Sequence, residues 1–139
     1  VGGLLAALLL VVSEFTTLFT VSAAVKTIPM RSVNTGSHHS YAMALIGVCG
    51  AFLAYGVWRA GSRPALLAVG VLGVIALLIA FLGDLPDAHT SGLVGGGGTT
   101  YAIAHSTPSA GMYLETLGAL VLLITCVCGF LLLGPPSDR

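Results

Sequence analysis

Gly83-Asp84-Leu85-Pro86-Asp87-Ala88-His89 gathers two carboxylates and an imidazole directly after the unbroken apolar run Ala65 to Leu82. Three other places in the chain do something similar. Glu14 interrupts the first apolar run, His38-His39 stands at the mouth of the second, and Glu115 sits one turn inside the fourth. If the four runs cross a bilayer, all of these polar groups fall toward the same leaflet. Asp84, Asp87 and Glu115, together with His38, His39, His89 and His105, are oxygen and nitrogen donors of the kind that hold zinc or copper. The same groups can hold a proton or another cation. Asp84-x-x-Asp87-x-His89 is only a weak metal spacing, and histidines in polar loops commonly sit in water. No cofactor is expected from these residues alone.

Glu14 makes the sharpest demand. With the first helix drawn from Val1 to Val21, it lies about 10 Å below the outer helix end, at 1.5 Å of rise per residue. An ionised carboxylate at such depth costs at least ~2.5 kcal/mol. It is therefore expected to face the bundle interior and to be protonated, hydrogen-bonded or paired. Its expected partners are Glu115 sharing a proton, Thr116, the hydroxyl of Tyr41 or Tyr113, and His38 or His39. Simpler readings stand beside this one. Ser13, Thr16 and Thr17 supply local hydroxyls for a structural hydrogen bond. Glu115 suits the first turn of a helix through the helix dipole. Asp84 and Asp87 flank Pro86, and aspartates in such turns usually bond their own backbone.

The elements that must position these groups follow from composition. Of 139 residues, 56% are hydrophobic and only 7% charged, and the mean hydropathy is +1.02. Soluble domains carry about 25% charged residues, so water is not the main solvent of this chain. About 20 apolar residues span a bilayer, and four such runs account for most of the sequence. The expected fold is an all-α membrane protein, a four-transmembrane-helix up-down-up-down bundle forming a single domain. Its helices fall at about 1–21, 41–58, 65–82 and 112–133, with outer loops at 22–40 and 83–111. A transmembrane barrel is excluded because its strands would alternate apolar and polar residues. Five basic and five acidic residues cancel, and no basic patch points to nucleic acid.

The remaining signals are weaker. Cys49, Cys126 and Cys128 give no disulfide framework and read as small buried apolar residues. No histidine lies inside an apolar run, so haem held between helices is not expected. The tetraglycine Gly95 to Gly98 is followed by no Gly-Lys-Ser/Thr and is no phosphate loop. Gly47, Gly50, Ala51 and Ala54 form a small-residue stripe on the second helix, and Gly73, Ala76 and Ala80 one on the third. Joined by a short turn, these helices are expected to pack small face to small face. Arg59, Arg63 and Arg139 outweigh Lys26 and Arg31, which places both termini and the short turn in the cytoplasm under the positive-inside rule. An offset of about 70 residues lays Ser13-Glu14-Phe15 on Gly83-Asp84-Leu85, as two repeated hairpins around an axis along the membrane normal would.

Three functions remain open. The first is a non-catalytic accessory or assembly subunit of a larger complex in a bacterial inner membrane, so that enzymatic activity is not the leading expectation. Its partners would be the lipid bilayer and other membrane subunits or copies of itself. The second is a site protein that binds a proton, cation or transition metal through its outer acid and histidine groups, as a transporter element, sensor or small metalloenzyme. Lipid or quinone binding between the helices ranks third. In overall style, its Ala/Gly/Leu/Val-rich helices with a loop-bearing outer face, the chain resembles small four-helix proteins of high-GC bacteria.

Overall fold

A computed structural model describes residues 1–23, 31–95 and 101–133. Lys26, Gly96 to Gly98, Pro135 and Arg139 lie outside the described residues, as does the side chain of His39. The first apolar run does not remain helical to Val21. Helix α1 covers Gly2–Ser13, and strand β1 follows at Thr17–Ala23. Two hydroxyls close the helix end: Ser13 Oγ donates to Leu10 O at 2.7 Å and Thr16 Oγ1 to Ser13 O at 2.7 Å. Beyond them Thr17, Leu18, Phe19, Thr20 and Val21 are rich in β-branched and aromatic side chains, which favour a pleated strand over a helix.

Strand β2 (Arg31–Asn34) returns along β1, and a single helical turn, α2 (Thr35–His39), leads into α3 (Ala42–Ala60). Gly61, at φ 59°, ends α3 in the left-handed conformation that glycine adopts most readily. Ser62 then caps α4 (Arg63–Leu78), its Oγ accepting from Ala65 N at 3.3 Å, with Pro64 in the first turn. The helix does not stop at Leu82. It widens into a π-helical segment, Ile79–Asp84, and continues as α5 (Leu85–Ala88). Strands β3 (Ser91–Gly95) and β4 (Tyr101–Pro108) precede the last helix, α6 (Ala110–Leu133).

The four strands form one antiparallel sheet in the order β2-β1-β4-β3. The expectation of an all-α bundle is therefore corrected: helices pack with a four-stranded sheet, and the connections drawn as outer loops 22–40 and 83–111 supply most of it. The two hairpins meet along β1 and β4, from Phe19 opposite Pro108 to Ala23 opposite Ala104. A two-fold axis exchanging the halves in chain order would pair like strands at the centre of the sheet. The central pair is instead β1 with β4, so the expected axis is not found there.

Three helices, Ala42–Ala60, Arg63–Ala88 and Ala110–Leu133, are long and apolar enough to cross a membrane, which marks the chain as a multi-pass membrane protein. Helix α1, with 12 residues, rises about 18 Å, less than the ~30 Å hydrocarbon core. The small stripes do not meet each other. A side chain at Gly47 would strike Ala7 O of α1 at 2.9 Å, whereas one at Gly73 would strike Leu123 Cγ of α6 at 3.0 Å. Both central helices thus spend their small faces on the first and last helices, and Cys126 Sγ fills the space over Gly70. Two apolar cores result. One lies within the bundle around Leu10, Met43, Val69 and Leu122. The other lies under the sheet around Leu18, Phe19, Ala88 and Met112.

Candidate functional site: a buried carboxyl cluster between two cores

Three of the chain's acids come from three different helical segments to one level. Along α1 the bundle core ends at Leu10 and the sheet core begins at Leu18, with Glu14 between them. Along the α4–α5 segment Asp84 falls between Ala76 and Ala88, and along α6 Glu115 falls between Met112 and Ala119. Relative exposure is 2% for Glu14, 0% for Asp84 and 0% for Glu115. Asp84 lies within side-chain hydrogen-bonding reach of Glu115, and Glu14 also bears on Glu115 electrostatically. The layer separating the two apolar cores is thus built of carboxyl groups.

Glu14 does not lie deep within a helix. It is the residue that ends α1, and its Oε1 accepts from Ala44 N at 2.9 Å. That donor stands at the start of α3, which has no side-chain cap of its own. A free N–H at a helix N-terminus carries partial positive charge and favours an anion, so an acid from α1 caps a helix from elsewhere in the chain. The hydroxyl partners expected for Glu14 are engaged or turned outward. Thr116 Oγ1 donates to Met112 O at 2.8 Å, and Tyr41 and Tyr113 are 58% and 64% exposed. Glu14 Oε2 and both oxygens of Glu115 are buried without a hydrogen-bond donor among the described residues.

His38 borders this layer. Its Nε2 lies 3.7 Å from Asp84 Oδ1 and 3.4 Å from Asp87 Oδ2, and its ring stands edge-on to Phe19 at 5.6 Å. The turn that carries His38 is clamped to the end of α1, where Gly36 N donates to Glu14 O and Thr35 N to Thr16 O. Glu14, Asp84, Asp87, Glu115 and His38 are therefore brought together. His89 and His105 are not part of this grouping. His89 is exposed, with Nδ1 3.0 Å from Leu85 O. His105 lies exposed on the face of β4 that alternates with buried Ala102 and Ala104. Among the described residues, no group of three or more His, Cys, Asp and Glu side chains is arranged to hold a metal ion.

Sequence reasoning missed Ala44 and Phe19. A backbone donor leaves no side-chain signal in the sequence. Beside the site, a groove of about 280 Å³ runs under the sheet edge, lined by Phe19, Val21, Asp87, Thr90, Ala104 and Ser106 among others. Comparison with protein-family models, curated proteins and solved structures gives no match to this chain. The chemistry has to be read from the site itself. Ionised carboxylates only accept hydrogen bonds, so Asp84 and Glu115 can bond to each other only with a proton between them, and a small cation is the other means of joining them.

Proposed function

We propose that this multi-pass membrane protein holds a proton in the Glu14–Asp84–Glu115 cluster. The observation that carries the reading is the approach of two buried carboxyl groups, Asp84 and Glu115, in a layer closed above and below by apolar cores. Like charges so placed are strongly disfavoured, and a shared proton or a bound cation removes the conflict. All-oxygen donors suit hard cations better than zinc or copper. The two arginines of the turn between α3 and α4, Arg59 and Arg63, favour a cytoplasmic position for that end, which would open the cluster toward the opposite side of a bacterial inner membrane.

Infrared spectroscopy of the purified full chain tests this. A carbonyl stretch of a protonated carboxylic acid should persist at neutral pH and vanish in Glu115→Gln. Its loss on adding sodium or calcium would assign the site to a metal cation. If the band is absent, the reading fails.

An accessory or assembly role remains the second reading. It draws support from Leu93, Tyr101 and Ile103, which are 75%, 72% and 57% exposed on the sheet face opposite the buried alanines. Native mass spectrometry after mild-detergent extraction should then show a co-purifying subunit or a second copy, and a bare monomer counts against it.

A further inference from the structure

We infer that His38 is the proton-transfer residue through which the buried cluster exchanges with water, accepting protons from Asp87 and passing them to Asp84. The inference rests on the reading of the cluster as a proton site. Side-chain exposure falls in order along this path, from 53% at Asp87 to 28% at His38 and 0% at Asp84. Asp87 also lines the groove beneath the sheet edge, which gives water a way to it. One nitrogen, Nε2, faces both carboxylates, at 3.4 Å and 3.7 Å.

The transfer requires the tautomer with its proton on Nδ1. The Nε2 lone pair takes the proton of the Asp87 carboxylic acid, leaving the Asp87 carboxylate and an imidazolium. Nε2–H then gives that proton to the Asp84 carboxylate, and the neutral imidazole returns. One proton has moved inward and the total charge of the three groups is unchanged. Asp84 is then able to donate to Glu115, while Glu14 stays tied to Ala44 N. Imidazole is the usual side chain for such shuttling.

Rapid-mixing infrared measurements after a pH jump test the path on the detergent-solubilised full chain. His38→Gln and Asp87→Asn should each slow the appearance of the Glu115-dependent acid band by about tenfold or more, and leave its final amplitude intact. Added imidazole should restore the rate of His38→Gln. Asp87 is exposed, so Asp87→Asn remains informative if the histidine variant does not fold. Unchanged rates in the folded variants, with the band present, overturn the path and leave the proton site standing. A band missing from the unaltered protein overturns the site, and the path with it.

Discussion

The two halves of the chain follow the same order of helix, strand hairpin and helix, yet they treat the acid on the first helix in opposite ways. In the first half α1 stops at Ser13, and Glu14 reaches across to the start of α3, where it accepts a hydrogen bond from Ala44 N. In the second half the helix runs on past Asp84 to Ala88, and α6 offers that acid another carboxyl group, Glu115. Helix N-termini are natural anion sites, so what decides the duty of each acid is whether the following helix presents N–H groups or a carboxyl group. The first acid is a structural cap. The second is left facing a like group, and that is where proton or cation chemistry becomes available.

The comparison can be broken most forcefully at Gly118. Helix α6, which carries Glu115, packs closely on α1, which Glu14 ends, and a Cβ on Gly118 would stand 2.9 Å from Leu10 Cδ2 and 3.3 Å from Ala6 O. Gly118→Val should therefore cost about 2–3 kcal/mol through overpacking, and thermal unfolding in detergent should show it together with loss of the carboxylic acid band. A smaller effect separates the two acids directly. Glu14→Ala should lose about 1–2 kcal/mol, as removal of a helix cap does, whereas Glu14→Gln keeps an acceptor oxygen and should stay within about 0.5 kcal/mol. Asp84→Asn should change stability by no more than about 0.5 kcal/mol in either direction, because its amide can donate to Glu115 without any added proton. Equal losses in Glu14→Ala and Asp84→Asn would erase the distinction between cap and site. The smallest effect lies on the seam between the halves, where Thr20 and Thr107 share a 2.9 Å hydroxyl contact on the exposed face of β1 and β4. Thr107→Val should cost less than about 0.5 kcal/mol. A loss above about 1 kcal/mol in chemical denaturation would mean that the seam, rather than the helix contacts, holds the halves together.

Span-length apolar runs were legible in the sequence because the requirement for them is simple: enough consecutive apolar residues to match the bilayer. The grouping of Glu14, Asp84 and Glu115 was also within reach, since acids at the same end of neighbouring runs have nowhere else to go. The sheet was harder to see. Phe15 to Val21 resumes the first apolar run after Glu14, so only its β-branched and aromatic content distinguishes strand from helix. The alternation Tyr101-Ala102-Ile103-Ala104-His105 carries a period-two signal, but it follows a glycine-rich stretch that reads as loop. His89 and His105 could not be separated from His38 by residue type, because only the register of β4 and the path of α5 turn them outward. Nothing in Ile79 to Asp84 announces a π-helical segment.

That segment carries a consequence of phase. A π-helical turn is an α-helical turn holding one residue too many, and each residue of an α-helix turns the face by about 100°. Gly83 is exposed, and a side chain built on it would meet nothing within 4 Å, so the surplus residue sits where it disturbs no packing. Were the segment wound as a regular α-helix with every residue kept, everything after Ile79 would fall about 100° out of step with everything before it. Asp84 would then be carried more than a quarter-turn from the carboxyl layer, with Asp87 carried round beside it. The facing pair of acids is thus a matter of counting: one surplus residue in a single turn sets the angle at which the end of this helix meets its neighbours.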